Sequence, residues 1–245
     1  MESKKKTVLV TGSSRGIGRA IALAFGRVGY NVVLNASKSA AQLEETKSLL
    51  ESEAIPVLAV LADVSDYEGC KLLFAKIEET FGMVDVLVNN AGISHIGLFT
   101  DMTPAEWNHV LDVNLGSVLN CTHLAVPAMV SEKDGVILNI SSMSAIRGIP
   151  DPVNNNGIYT ATKFAINGFT ECMQKYLLKY GIRVTALCPG STATSWWTRW
   201  THSFGTDAML PVETLADIAE LIVTSPEKVL FKQLQVLPTV EIDNF

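Results

Sequence analysis

The sequence predicts an α/β fold: a doubly wound parallel sheet of about seven strands flanked by helices, in a single domain over residues 1–245. Three observations carry this reading. Short apolar, β-branched runs alternate with longer segments of helical pattern from one end of the chain to the other. Several of the short runs are apolar at nearly every position, as in parallel strands covered on both faces. The first run passes directly into a glycine-rich turn, "TGSSRGIG" (11–18), at the head of a helical segment.

In chain order the strand-like runs are 7–11 (TVLVT), 31–35 (NVVLN), 56–61 (PVLAVL), 84–89 (VDVLVN), 135–140 (GVILNI), 182–187 (IRVTAL) and a last one near 229–237. Helical patterns occupy about 17–29, 39–53, 66–81, 104–132, 157–180 and 212–224. Ser37 or Ser39 supplies a start signal for the second, and Thr103-Pro104 for the fourth. No composition break, long linker, repeat or low-complexity segment divides the series. The alternation is that of a Rossmann-type sheet.

Composition narrows the function. A formal net charge of −6 argues against nucleic acid or an anionic membrane as the main partner. Lys4-Lys5-Lys6 reads as a solvated tail. Cys70, Cys121, Cys172 and Cys188 lack metal-finger or CxxC spacing and read as reduced thiols, and His95, His109, His123 and His202 form no ligand cluster, so no metal is expected. Without a signal-type segment or an apolar run of roughly 18 residues, a cytoplasmic soluble protein is expected.

The chemistry starts at the glycine-rich turn. Gly12, Gly16 and Gly18 between a strand and a helix let backbone approach a pyrophosphate, and the helix N-terminus offers free N–H groups to an anion. Downstream, "NNAG" (89–92) follows the fourth strand, "ILNISS" (137–142) ends the fifth, "YTATK" (159–163) opens a long helix and "PGSTAT" (189–194) follows the sixth strand. These motifs, in this order over essentially the whole chain, resemble the short-chain dehydrogenase/reductase family, in its single-domain, 3-oxoacyl-reductase-like branch.

The resemblance implies a nicotinamide dinucleotide held by Gly12, Ser14, Arg15, Gly16, Ile17, Gly18, Ser37, Asp63, Val64, Asn90, Ala91, Gly92, Tyr159, Lys163, Pro189, Gly190, Thr192 and Thr194. At the end of the second strand an acid would bind the ribose 2′-hydroxyl of NAD(H), and here Ala36 stands about at that place. With Arg15 in the turn and Ser37-Lys38 after the strand, the expected cofactor is NADP(H) rather than NAD(H). For Asp63, a plain helix cap is the competing reading.

Tyr159 and Lys163, four apart, share one helix face with Cβ atoms roughly 6 Å apart. A neighbouring ammonium, together with the positive nicotinamide of an oxidised cofactor, favours phenolate and brings the tyrosine toward its working range. A second Tyr-x-x-x-Lys, Tyr67 to Lys71, reads as an ordinary surface pair. The resemblance implies that Ser142 polarises the substrate carbonyl, with Ser144 an alternative because 149–157 lengthens the loop before Tyr159, and that Asn114 sits in a disturbed helix linked through water to Lys163. Its scheme is hydride delivery to a carbonyl carbon with Tyr159 as proton donor.

Three of the four tryptophans fall in "SWWTRW" (195–200), inside a substrate loop at about 191–211. His95, Met143, Trp196, Trp197 and Trp200 are expected at the substrate, Trp196 as part of a lid or, on the competing reading, an anchor. Expected substrates are a 3-oxoacyl thioester or another apolar or bulky ketone; a non-catalytic NADP-binding sensor is the alternative of another class. Arg19 and Arg27, or Arg147 and Arg199, are candidates for a basic patch toward an acyl carrier. A homo-oligomer, tetramer or dimer, is implied by the resemblance.

Overall fold

The computed structural model describes residues 5–95, 97–148, 157–196 and 205–244. Seven strands form one parallel sheet: β1 (Thr7–Val10), β2 (Asn31–Ala36), β3 (Val57–Leu61), β4 (Val86–Asn89), β5 (Gly135–Ile140), β6 (Ile182–Pro189) and β7 (Gln233–Val236). Their spatial order is β3-β2-β1-β4-β5-β6-β7, every pair parallel. The chain therefore winds outward from β1 in one direction and from β4 in the other. The switch between β1 and β4 opens a crevice at the carboxyl ends of the strands, where such sheets bind ligands.

The helices are α1 (Gly16–Arg27), α2 (Ala40–Ser52), α3 (Tyr67–Phe81), α4 (Pro104–Leu111), α5 (Ser117–Glu132), α6 (Gly157–Leu177) and α7 (Val212–Thr224). Two apolar clusters fill the two faces of the sheet. Val8, Val10, Phe25, Leu34, Leu138 and Ile222 lead the side covered by α1, α2 and α7; Leu9, Leu73, Ile77, Leu87, Met129 and Ile137 lead the side covered by α3 and α5. Alternate residues of β1 and β5 thus point into opposite layers, and the central strands are buried along their length.

Two elements differ from the sequence pattern. The 104–132 segment is not one regular helix: a π-helical turn, Asp112–Gly116, separates α4 from α5. It starts as the Thr103-Pro104 signal predicts, with a capping box between Thr103 and Glu106. By length and composition, Pro104–Glu132 could cross a membrane; here it packs on the sheet through Val118, Cys121, Ala125 and Met129. The last strand is shorter than 229–237. Carbonyls of Val229, Phe231 and Lys232 accept from Arg183, Thr185 and Gln174 side chains, so the ladder with β6 forms only from Gln233.

Candidate active site

The glycine-rich turn is built by β1 handing its chain to β4. Thr11 Oγ1 accepts from the backbone N–H groups of Asn90 and Ala91 at 3.0 and 3.1 Å, and Asn90 Nδ2 returns hydrogen bonds to the carbonyls of Thr11 and Gly12 at 2.9 and 3.0 Å. Gly12, at φ +63°, could carry no side chain: a Cβ would lie 2.9 Å from Ala91 Cα. At Gly18 a Cβ would collide with Asn90 Nδ2 and the Gly12 carbonyl. Ile17 packs half-buried against the core. Ser14 is buried, its carbonyl accepting from Arg19 and Thr46.

Helix α1 begins with no side-chain cap and no acid in its first turn. Its amino end is therefore open to an anion. Around it, Arg15, Ser37 and Lys38 are exposed, and Ala36 is buried at the end of β2. Thr194 lies against Gly16, placing 189–194 over the turn. Pro189 ends β6, the Gly190 N–H donates to Val236, and buried Thr192 donates to the Gly190 carbonyl at 3.0 Å. Asp63 is no helix cap: it accepts from Ser65 N and Oγ, while Asp66 caps α3. Buried Val64 follows, its carbonyl and that of Ser65 held by Asn120 Nδ2. A Cβ at Gly92 would sit 3.5 Å from Asn114 Oδ1 and 4.0 Å from Lys163 Nζ, so glycine keeps space open beside the lysine. The cradle thus fits a pyrophosphate-bearing dinucleotide.

The reactive group stands at the end of β5. Ser142 is extended (φ −166°) and caps the short turn Met143–Ala145, its hydroxyl accepting from Ser144 N at 3.1 Å. The same hydroxyl lies beside the Tyr159 phenol, where it acts to lower that group's pKa. The structure thus joins Ser142 to Tyr159 and uses Ser144 as backbone support. Lys163, one turn along α6, is buried, donates to the Ile140 carbonyl at 2.8 Å and lies 5.5 Å from the Tyr159 ring centre. Asn114 is fully buried in the π-helical turn; it accepts from Ile93 N and donates to the Ile93 carbonyl and to Thr162 Oγ1. Thr162 in turn donates to the Tyr159 carbonyl. Asn114 therefore locks the "NNAG" loop to the first turn of α6 and touches Lys163 through no side-chain bond.

Burial pushes the Tyr159 phenol up to about 12, against the lowering effect of Ser142, and pulls Lys163, whose ammonium is engaged with Ile140, down to about 8. The second Tyr-x-x-x-Lys behaves as predicted: Lys71 lies over the Tyr67 ring on the surface and pairs with Glu68.

Of the residues expected at the substrate, Trp196 meets the Tyr159 ring at 5.9 Å with a 52° tilt. His95 is half-buried in the loop after "NNAG". Met143 does not face an opening: it is buried with Ala186 and Cys188 in a small apolar cluster. Trp197, Trp200 and Arg199 lie outside the described residues. Arg19 and Arg27 are engaged with Glu45 and Glu53, so they do not present a free basic patch. Sequence reasoning missed Thr11, Thr162 and Asn167, whose roles are hydrogen bonds across 79, 48 and 21 residues.

The comparisons agree with this geometry. The family profile described as short chain dehydrogenase matches residues 6–203. The 3-oxoacyl-[acyl-carrier-protein] reductase FabG of Staphylococcus aureus is 39% identical over 185 residues, 76% of this chain and 74% of that protein. Oxidoreductase UcpA of Salmonella typhimurium is 36% identical over 189 residues, 77% and 70% of the two chains. A crystal structure of a 3-oxoacyl-[acyl-carrier protein] reductase with bound NAD from Brucella melitensis superposes with TM-score 0.83 at 32% identity, over 96% of this chain and 90% of that one. A metagenomic short-chain oxidoreductase in complex with NADP gives TM-score 0.81 at 29% identity, over 96% and 97%.

Proposed function

Since this chain belongs to the short-chain dehydrogenase family, we propose that it is an NADP(H)-dependent carbonyl reductase acting on 3-oxoacyl thioesters. A nicotinamide-dependent oxidoreductase is the class; the choice of NADP(H) and of substrate is the reading proposed here. One observation carries it: Ser142 and Tyr159 side by side, with Lys163 one turn away and 5.5 Å from the tyrosine ring, at the end of β5 and beside the glycine-rich turn.

The bound reduced cofactor supplies hydride to the carbonyl carbon. Tyr159, its phenol pushed up to about 12, holds its proton through the neutral range and delivers it to the carbonyl oxygen. Ser142 polarises that oxygen as negative charge develops on it. Lys163 stays charged below a pH of about 8 and keeps positive charge beside the ring. Arg15, Ser37 and Lys38, with Ala36 in place of an acid, favour a 2′-phosphate. The name of the Staphylococcus relative supports the thioester substrate. The Trp196 ring against Tyr159 supports a second substrate reading, another bulky apolar ketone. Cytoplasmic location and a homo-oligomer, tetramer or dimer, complete the proposal.

The test is cofactor oxidation with acetoacetyl thioesters, diketones, quinones, sugars and steroid-like ketones, using NADPH and NADH in parallel. We expect NADPH-dependent reduction of the thioester, and a narrowed NADPH preference in Arg15→Ala. Absence of a rate on any carbonyl would turn the reading to a cofactor-binding sensor. An NADH preference would overturn only the cofactor choice.

A further inference from the structure

Cys188 is fully buried in β6, and nothing in the proposed chemistry uses its thiol. It nevertheless lies where the three pieces of the site meet. Asn167, four residues beyond Lys163 and on the same face of α6, donates from Nδ2 to Cys188 Sγ at 3.7 Å, and its Oδ1 lies 3.8 Å from the same sulfur as an acceptor. From the end of β5, Met143, the residue after Ser142, is buried with Cys188 in one apolar cluster, and the polar groups of Ser141 and Ser142 bear on the thiol. Ser141 Oγ stands 3.4 Å from the Lys163 carbonyl. One sulfur thus ties β6, the β5 turn that bears Ser142 and the helix that bears Tyr159 and Lys163.

We propose that Cys188 and Asn167 are positioning residues: the pair fixes the Ser142 turn against α6 and so sets the Ser142–Tyr159 geometry. An apolar side chain at 188 could fill the volume but would leave the Asn167 amide short of a partner. A smaller hydroxyl at 188 keeps the donor and acceptor capacity. Small displacements of reacting groups are costly in rate, which is how a side chain that never meets substrate governs turnover. The rate argument rests on the reductase reading above; the structural clamp does not.

The test compares Cys188→Ala, Cys188→Ser and Asn167→Ala with the unaltered protein. Two readouts are taken: steady-state kinetics with NADPH and the best carbonyl, and amide hydrogen exchange of the peptide spanning Ser141–Ile146 in the protein without added ligand. Cys188→Ala and Asn167→Ala are expected to lower kcat about tenfold, with KM for NADPH within about twofold, and to speed exchange at Ser142. Cys188→Ser should recover most of both. Unchanged kcat and exchange in Cys188→Ala would overturn the proposal. So would a serine variant no better than alanine, which would make Cys188 a space filler. If Cys188→Ala does not fold, Asn167→Ala removes the clamp from the half-exposed side of α6, and unchanged kcat and exchange there overturn it equally. A wild-type protein with no turnover on any carbonyl overturns the reductase reading instead, and the exchange readout still decides the clamp.

Discussion

Tyr159 and Lys163 show at the scale of single residues how function is set against stability. The folded phenol titrates at about 12, above an unfolded tyrosine, so its contribution to stability is complete below a pH of about 10 and is lost as pH rises to about 12. The folded ammonium titrates at about 8, below an unfolded lysine, so its burial opposes folding below that pH and the penalty is relieved as pH rises toward about 10.5. Removing the lysine should therefore stabilise the protein while removing its activity. We expect Lys163→Met to gain about 2 kcal/mol at pH 7, allowing about 1 kcal/mol for the lost bond to Ile140. The gain should vanish by a pH of about 10. Chemical denaturation of both proteins at pH 7 and 10 checks this; a gain independent of pH would mean that charge burial is not its origin. The wild-type reduction rate should fall as pH rises through about 8, since Lys163 loses its charge there. Tyr159→Phe should lose nearly all turnover while binding NADPH within a few-fold of wild type, as cofactor fluorescence titration would read. Substantial residual activity would remove Tyr159 as the proton donor.

At the scale of elements, the glycine-rich turn works because two backbones pass without side chains between them. A methyl at Gly18 has nowhere to go except into Asn90 Nδ2 and the Gly12 carbonyl. Gly18→Ala should displace Asn90, break its bonds to Thr11 and Gly12, and cost about 1–3 kcal/mol. Cofactor affinity should fall about fivefold or more, the loss expected when about 1 kcal/mol or more of preorganisation goes; thermal melts and a titration with NADPH measure the two effects. This turn was legible in the sequence because its requirement is local: glycine spacing between an apolar run and a helix. The π-helical turn was legible only through the resemblance, which implied a disturbed helix at Asn114, and not through the apolar pattern. A helical pattern counts apolar positions, and one wide turn at Asp112–Gly116 scarcely shifts it. What marks the turn is Asn114 reaching the Ile93 backbone, and no window along the chain contains both. Cys188 and Asn167 were invisible for the same reason, since each reads alone as an ordinary strand or helix residue. The tryptophan cluster falls between: its place after the "PGSTAT" segment was legible, but only the structure sets Trp196 against Tyr159.

For the whole molecule, a parallel sheet of about seven strands could be anticipated from the alternation of apolar runs, because a parallel sheet buried on both faces demands nearly unbroken hydrophobic strands. The strand order comes from the structure. The edges were harder, since β7 ends where side chains take over its carbonyls. The same architecture couples cofactor binding to global stability. The cradle draws on β1, α1, β2, the end of β4, α6 and the segment after β6, so a ligand held there links elements from both halves of the sheet. A ligand that binds only the folded chain stabilises it by about 2.7 kcal/mol at 100 times its Kd. For a chain of this length that is a rise in Tm of roughly 5–11 °C. At equal concentrations NADPH should raise Tm by more than NADH, because only its 2′-phosphate can engage Arg15 and Lys38, both exposed beside Ala36. Arg15→Ala should leave the Tm of the free protein within about 1 °C, as expected for an exposed side chain with no described ion pair, and should bring the two cofactor shifts together. Equal shifts in the unaltered protein would assign Arg15 to solvent and return the chain to NAD(H). Since the melt needs no substrate, this result decides the cofactor before the carbonyl is known.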